Sequence, residues 1–272
     1  MSETVGFIGL GEMGGPMSKR LQQAGYTVTG FDVDPARMAH VEAAASPADA
    51  AKRADRVVIS IVRTLQQTEI VLFGGSGISA AGRDDIDVVI MSTIDPGSME
   101  RIAKRAHFPV IDAPVSGGVQ GAQAGTLTIM VAGKSEAIER TRPLLEAMGE
   151  KILVVGDRPG PGQAIKLANQ LSLAVSVIGT LEALNLAKRA GVAPEEVLKV
   201  LEVSTGSSWP ILNFETVRGW WELEDPDVGA LGIILKDLGS IEKLASESRL
   251  DLPAAELALE RLRNAWADAG LG

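Results

Sequence analysis

The chain of 272 residues contains no cysteine and only two histidines, His40 and His107. Without cysteine it has no disulfide scaffold, no thiolate metal site and no cysteine nucleophile. Two histidines are too few for a metal site built from several imidazoles, and a histidine-dependent triad would have to use one of them. Both follow polar, helix-like sequence, so we expect them to be solvated and predict no metal site.

The chain also has fewer basic residues (26) than acidic residues (35), which gives a formal net charge of −9. An acidic chain is a poor candidate for binding the phosphate backbone of nucleic acids. If the ligand is a small anion, the attraction has to be local, from helix N-termini, backbone amides or a few lysines and arginines. The hydrophobic fraction of 46% and the charged fraction of 22% are ordinary for a soluble globular enzyme.

The N-terminal sequence MSETVGFIGL lacks the basic region of a signal peptide. The longest weakly charged stretch, 167–187, contains Glu182 together with several amides and hydroxyls, so we expect no membrane span. These features favour a cytoplasmic enzyme.

Up to about residue 155, short apolar runs alternate with segments of helical spacing, a pattern typical of a doubly wound, mostly parallel α/β sheet. The runs are Thr4–Ile8, Thr27–Asp32, Arg56–Val62, Asp87–Met91, Pro109–Asp112, Thr126–Val131 and Ile152–Val155.

After residue 160 the pattern is helical throughout, which predicts an all-α domain over 161–272 after an α/β domain over 1–160. The helices are expected at 161–190, 194–203, 229–248 and 253–268. The first is apolar around most of its circumference, so we expect it to be buried on nearly all sides and to touch a partner subunit in a homodimer or homotetramer. The active site is expected between the two domains.

A glycine pattern follows the first apolar run, with Gly9, Leu10, Gly11, Glu12, Met13 and Gly14 in succession. This GxGxxG sequence, between a predicted strand and a predicted helix, is the Rossmann fingerprint for binding a dinucleotide. Gly9 permits the tight turn, Gly11 lets the backbone approach a pyrophosphate, and Gly14 lets the helix pack on its strand. The alternative is a purely structural glycine turn.

Asp32 stands eighteen residues after Gly14, at the end of the second run. A carboxylate there can accept hydrogen bonds from the adenosine ribose and repels a 2′-phosphate. The next residue is Val33, at a position where a protein that binds the 2′-phosphate of NADP would need an arginine. We therefore predict NAD as cofactor in preference to NADP. Arg63, after the third run, is the residue that could reverse this preference.

Two polar clusters are candidates for the chemistry. Lys166, Asn169 and Gln170 share one face of a helix, at positions i, i+3 and i+4. A lysine can act as the proton shuttle that the histidines do not supply. The second cluster, Ser116 with Gly117 and Gly118, ends a strand in a turn whose amides can bind a carboxylate.

Together these segments resemble the β-hydroxyacid dehydrogenase family, whose members include 3-hydroxyisobutyrate dehydrogenase and 2-hydroxy-3-oxopropionate (tartronate semialdehyde) reductase. The matching pieces follow the family's order and comprise Val5–Gly14, Ser92–Ile94, Asp112–Gly118, Gly125–Met130, Gly160–Gln170 and Lys236–Leu238.

The resemblance implies hydride transfer between a nicotinamide cofactor and a 3-hydroxy or 3-oxo carboxylate, with Lys166 as general acid/base. It assigns the substrate carboxylate to Ser116, Gly117 and Gly118, and its hydroxyl or carbonyl end to Asn169 and Gln170. By the same resemblance, Thr93 and Lys236 lie along the nicotinamide half of the cofactor, and Val62, Arg63 and Gln67 meet the cofactor in the loop after the third strand.

The chain departs from the family pattern at several positions. Asn169-Gln170 replaces the frequent Asn-Asn and favours the tartronate semialdehyde reductases, whereas Val62-Arg63 replaces a usual Leu-Pro. Gly229 stands where phenylalanine is common and Gly232 where aspartate is frequent, which predicts an enlarged substrate pocket or one refilled by an aromatic residue. The candidates for refilling it are Trp209, Phe214 and Trp220, whose alternative role is packing inside the helical domain.

Two other functions remain open at this point. An imine reductase shares the resemblance, but such proteins generally replace the catalytic lysine. A non-catalytic nucleotide sensor would be expected to have lost Lys166 or the Ser116–Gly118 turn, and both are present.

Overall fold

The structure is a computed structural model that describes residues 2–221 and 229–268. The chain forms two compact units, Met1–Lys166 and Leu167–Gly272. The boundary lies six residues into a long helix that starts at Pro161, near the predicted division at residue 160.

The first unit contains a nine-stranded sheet. Its strands are β1 (Thr4–Ile8), β2 (Thr27–Phe31), β3 (Glu42–Ala43), β4 (Val57–Ser60), β5 (Asp87–Ile90), β6 (Val110–Asp112), β7 (Val115–Ser116), β8 (Leu127–Ala132) and β9 (Gly149–Gly156). The order is β3-β2-β1-β4-β5-β6-β8-β7, and β9 pairs with β8. The first six strands in this order are parallel, whereas β8 runs antiparallel to β6 and β7. The predicted Rossmann sheet is confirmed; β3 and β7, of two residues each, were not predicted.

Helices cover both faces of this sheet. They are α1 (Gly14–Gln23), α2 (Pro47–Arg53), α3 (Leu65–Phe73), α4 (Pro96–Arg105), α5 (Gly118–Ala124) and α6 (Ser135–Met148). Alternate strand residues point to opposite faces, so Phe7 of β1 lies in one hydrophobic core and Ile8 in the other. Burial on both faces explains why the strands read as continuous apolar runs.

In the described part of the second unit all regular secondary structure is helical, which confirms the expected all-α domain. It contains most of α7 (Pro161–Arg189), followed by α8 (Pro194–Val203), α9 (Trp209–Leu212), α10 (Phe214–Arg218), α11 (Gly229–Ser248) and α12 (Pro253–Asp268). Its core is formed by residues such as Leu167, Val177, Leu231, Leu238 and Leu262. The short helices α9 and α10 were not predicted.

The expectation that α7 is buried on nearly all sides is wrong for the single chain. Ile165 is 43% exposed, Val175 40% and Leu186 76%. By length and composition α7 could cross a membrane, and 33% of its most apolar window is buried. Since Leu167 and Val177 lie in the core of the second unit, α7 has the character of a core helix with one apolar side uncovered in the single chain.

Candidate active site

The glycine turn between β1 and α1 has the geometry that its sequence predicts. Gly9 has φ +90°, and a Cβ there would lie 2.1 Å from the carbonyl oxygen of Ile61. A Cβ on Gly14 would lie 1.8 Å from the carbonyl oxygen of Gly9. Side chains at either position would push α1 away from the strands, so these two glycines allow the helix N-terminus to approach the sheet edge.

Gly11 is different, because the only described atom within 4 Å of a Cβ built there is Arg37 Nη1, at 3.1 Å. Only the end of this flexible side chain approaches the Gly11 backbone on that side, and α1 begins three residues further on, at Gly14. An open glycine backbone beside a helix N-terminus fits the pyrophosphate of a dinucleotide.

Asp32 is fixed beside this turn. It follows β2, is 8% exposed, and its Oδ2 accepts a hydrogen bond from the Leu10 backbone N–H at 2.7 Å. Its Oδ1 accepts one from the Asp34 N–H at 2.9 Å. A carboxylate can accept about four hydrogen bonds, so Asp32 retains capacity for ribose hydroxyls while two backbone amides hold it in place.

Arg37 is a residue that the sequence analysis missed. It lies in a 3-10 turn, Pro35–Met38, and its Nε is 3.3 Å from Asp34 Oδ2. Its guanidinium also lies beside Gly11, which places a positive charge at the edge of the predicted cofactor site. An arginine five residues after Asp32, beyond the proline turn, was the available signal. Val33, by contrast, is 90% exposed.

The loops after β4 and β5 meet through a buried serine. The Val62 N–H donates to Ser92 Oγ at 2.8 Å. Gln67 caps α3, because its Oε1 accepts from the backbone N–H groups of Arg63 and Thr64. The predicted cofactor residues Val62, Arg63 and Gln67 therefore belong to one ordered turn at the carboxyl edge of the parallel strands, where α/β sheets bind their ligands.

The Ser116–Gly118 turn follows the short strand β7, which pairs with β8. Gly117 has φ +129° and Gly118 φ +61°, conformations that L side chains rarely adopt. Ser116 is half-buried and both glycines are exposed. Exposed amides in such a turn can bind an anion.

A buried carboxylate, Asp112 at the end of β6, accepts hydrogen bonds from the start of α7. Its Oδ2 accepts from the N–H groups of Gly160 at 2.9 Å and Gln163 at 3.2 Å. Its Oδ1 accepts from Gln163 Nε2 at 2.7 Å. The Gln163 amide also donates to the Ser92 carbonyl at 3.1 Å and accepts from the Ile94 N–H at 2.9 Å. Neither Asp112 nor Gln163 was predicted from the sequence to have a role.

Lys166 lies one helical turn beyond Gln163 and is 7% exposed. Thr93 lies between Ser92 and Ile94 in the loop held by the Gln163 amide. The hydrogen bonds around Gln163 therefore connect the loop of Thr93 to the helical turn that precedes Lys166.

In the helical unit, Gln170 is held by a buried carboxylate. Its Nε2 donates to Asp237 Oδ2 at 2.8 Å, and Asp237 is 0% exposed. Asn169 Nδ2 donates to Gln170 Oε1 at 3.3 Å, and Lys236 Nζ lies 2.9 Å from Asp237 Oδ1. The structure thus brings together three predicted residues, Asn169, Gln170 and Lys236, around an aspartate to which no role was assigned.

Two of the three aromatic residues predicted to refill the substrate pocket, Trp209 and Trp220, have packing contacts. Trp209 stacks on Trp220, with ring centroids 6.1 Å apart, and Trp220 packs against the helical core.

Gly229 is the first residue of α11 and has φ +68°, and Gly232 is buried in the same helix. The enlarged pocket remains a prediction.

The two histidines differ in their surroundings. His40 Nε2 lies 2.8 Å from Ser18 Oγ, whereas His107 is exposed. His40 is half-buried, so the expected solvation is met by His107 alone. Among the described residues, no group of three His, Cys, Asp or Glu side chains could hold a metal ion.

The Asp112 network predicts a pH dependence of stability. Burial raises the pKa of Asp112 from 3.8 to about 6, while hydrogen bonds from Gly160, Gln163 and Gly162 oppose the rise. The folded chain then binds this proton more tightly than the unfolded chain, so Asp112 contributes stability that is complete below about pH 4 and is lost as the pH rises to about 6. At about 1.4 kcal/mol per pKa unit, the loss is about 3 kcal/mol.

The measurement is urea unfolding of the native protein and of Asp112→Asn between pH 4 and pH 7. The substituted asparagine has no proton to lose, so the free energy of unfolding of the native protein, relative to that of Asp112→Asn, should fall by about 2.4 kcal/mol from pH 4 to pH 7. A difference that stays constant with pH would contradict the assignment.

Two family models match the chain in succession. One, described as the NAD binding domain of 6-phosphogluconate dehydrogenase, matches residues 4–156. The other, described as the NAD-binding part of NADP-dependent 3-hydroxyisobutyrate dehydrogenase, matches residues 160–272.

Characterised relatives and a solved structure agree. The chain is 38% identical to NAD-dependent L-serine dehydrogenase of Pseudomonas aeruginosa over 272 residues, covering 95% of this chain and 91% of that protein. It is 36% identical to the mitochondrial 3-hydroxyisobutyrate dehydrogenase of Mus musculus over 267 residues, covering 93% and 79%. A crystal structure of 3-hydroxyisobutyrate dehydrogenase from Salmonella typhimurium superposes with a TM-score of 0.83 at 31% identity, covering 100% of this chain and 96% of that one.

These matches extend over both units, at identities that carry the activity class as well as the fold. The chain is an NAD(P)-dependent hydroxyacid dehydrogenase whose cofactor is a nicotinamide dinucleotide and whose substrate is a small hydroxy acid. It belongs to the β-hydroxyacid dehydrogenase family.

Proposed function

We propose that the chain interconverts a small 3-hydroxy acid and its 3-oxo acid, with Lys166 as general acid/base and NAD as the preferred cofactor. The observation that carries this proposal is the burial of Lys166 in the second turn of α7, 7% exposed, directly after a helix start held by hydrogen bonds to the loop of Thr93. A surface lysine that contributes only to solubility would extend its ammonium group into water.

The residues around the glycine turn fit a dinucleotide. Gly11 leaves its backbone open to a pyrophosphate at the α1 N-terminus, and Asp32 presents a fixed carboxylate for ribose hydroxyls. A dinucleotide held there would supply the hydride acceptor for oxidation of the substrate and the hydride donor for its reduction.

The role proposed for Lys166 is to move the accompanying proton. In oxidation, the neutral amine accepts the proton of the C3 hydroxyl as the C3–H bond breaks, and C3 becomes a carbonyl carbon. In reduction, the ammonium gives this proton to the developing alkoxide. The protein supplies position and charge for both directions.

The substrate is held, in this proposal, by groups that match its two polar ends. The exposed amides of Gly117 and Gly118 with the Ser116 hydroxyl bind the carboxylate. Gln170, whose amide is oriented by Asp237 and Asn169, acts with Asn169 on the hydroxyl or carbonyl end. The named activities of the relatives support substrates of this size, such as 3-hydroxyisobutyrate and L-serine.

A substrate panel tests the proposed reaction. With NAD⁺, we expect NADH formation, followed by its absorbance, from 3-hydroxyisobutyrate, L-serine, glycerate or L-threonate. Lactate, with its hydroxyl on C2, and isobutyrate, without a hydroxyl, serve as controls and should give none. Glycerate as the best substrate would favour a 2-hydroxy-3-oxopropionate reductase, whereas oxidation of lactate at a comparable rate would refute the 3-hydroxy specificity.

Lys166→Ala should lower kcat by roughly 10²–10⁴, the usual weight of a positioned acid/base. Lys166→Arg should be nearly as impaired, because a guanidinium does not give up its proton near neutral pH. The matched control is Lys188→Ala, an exposed lysine near the end of the same helix, which should keep the native rate. Activity of Lys166→Ala within a few-fold of the native enzyme would disprove the role.

The cofactor preference is tested by comparing KM for NAD⁺ and NADP⁺. We expect the lower KM for NAD⁺, because Asp32 repels a 2′-phosphate. Replacing Asp32 by Ser should narrow the preference by about tenfold, since removing one repulsion of about 1.4 kcal/mol changes affinity tenfold. Arg37→Ala should widen it, because the guanidinium, in the turn that follows Asp32, would attract the 2′-phosphate of NADP⁺. A lower KM for NADP⁺ in the native enzyme would overturn the Asp32 assignment.

A further inference from the structure

The start of α7 is capped by a residue from a distant part of the chain. The first N–H groups of a helix have no partner within it, and a side chain just before the helix usually satisfies one of them. In α7, the carboxylate of Asp112 on β6 takes this place, 48 residues before Gly160 in the chain. The helix that bears Lys166 is therefore attached to the sheet at its first turn.

The Gln163 amide can adopt only one of its two orientations in this network. Its Oε1 accepts from the Ile94 N–H, and its Nε2 donates to the Ser92 carbonyl. Rotating the amide by 180° would place donor against donor and acceptor against acceptor. Nε2 therefore donates to Asp112 Oδ1, and both carboxylate oxygens have to act as acceptors.

The backbone of α7 is also in close contact with the sheet. A Cβ on Gly162 would lie 2.8 Å from Asp112 Oδ2 and 2.8 Å from the Met130 carbonyl oxygen. This contact leaves the first turn of α7 no room to shift toward β6 and β8. In a helix, a rotation of the first turn also rotates Lys166, which stands only three residues after Gln163.

The same hydrogen bonds hold the loops assigned to the cofactor. Gln163 bonds both neighbours of Thr93, and Ser92 Oγ accepts from the Val62 N–H. One buried network thus joins the loops after β4 and β5, the end of β6 and the helix of Lys166. General acid/base catalysis requires the proton carrier to be within hydrogen-bond reach of the reacting group.

We propose that Asp112 and Gln163 are positioning residues that set Lys166 at a fixed place relative to the cofactor loops. This inference rests on the proposed function, because it assumes that Lys166 carries the proton. Neither residue is proposed to touch substrate or cofactor.

The principal test is Asp112→Asn, which keeps the shape of the side chain. It replaces one accepting carboxylate oxygen by an NH₂ group, which then faces an N–H donor of Gln163 or Gly160. We expect kcat to fall 10- to 100-fold while KM for NAD⁺ stays within threefold. The amides of residues 160–166 should exchange hydrogen for deuterium at least tenfold faster, as measured by mass spectrometry. The control is Asp55→Asn, whose carboxylate accepts a backbone N–H at the amino end of β1 and should alter neither kcat nor exchange at 160–166.

A double variant, Asp112→Asn combined with Gln163→Glu, tests the polarity of the pair. The new asparagine amide donates to the new glutamate carboxylate, so the charge moves across the hydrogen bond. We expect kcat to recover at least threefold relative to Asp112→Asn alone. It should stay below the native value, because a glutamate carboxylate cannot donate to the Ser92 carbonyl as the Gln163 amide does. If Asp112→Asn does not fold, Gln163→Met, which removes the amide and leaves the Asp112 carboxylate in place, carries the same expectations for kcat and exchange.

The outcomes separate this inference from the proposed function. If Lys166→Ala keeps its activity, the proposed function fails, whereas faster exchange at 160–166 would still show the anchoring of α7. Native kcat in Asp112→Asn together with faster exchange would overturn the positioning role and leave Lys166 unaffected. Loss of kcat with unchanged exchange, or no recovery in the double variant, would also overturn it.

Discussion

A single carboxylate connects the sheet to the helix on which the proposed chemistry depends. Asp112 is the last residue of β6, and its oxygens accept hydrogen bonds from the first turn of α7. Taking a charge out of water is costly unless hydrogen bonds satisfy it, and here several N–H groups do so. These hydrogen bonds offset part of the cost, and burial still raises the pKa of Asp112 to about 6.

The acidic character of the chain explains how its polar groups are arranged. The expected ligands are anions, whereas the formal net charge is −9. Attraction has to be local. The structure presents the glycine turn before α1, a turn of two exposed glycines, Gly117 and Gly118, and the guanidinium of Arg37 beside Gly11. Backbone dipoles provide positive potential without altering the net charge.

Elements that depend on local pattern were predicted well from the sequence. Helices α8, α11 and α12 begin and end at the expected residues, and the strands from β1 to β6 fall on the apolar runs, except for β3. The two-residue strands β3 and β7 escaped prediction because so short a segment has no periodicity to detect. The burial of α7 was overestimated, because apolar composition does not show which side of a helix a neighbour covers.

The family, the glycine turn and the proposal of Lys166 as acid/base could be read from the sequence, since each depends on residue types in a characteristic order and spacing. The residues that support them come together only in the folded chain, because Asp112 lies 48 residues from Gly160 and Asp237 lies 67 residues from Gln170. Arg37 likewise reaches Gly11 only because the chain turns back after β2. Hydrogen bonds between residues so far apart in the chain follow from the order in which strands and helices pack, and no local pattern encodes that order.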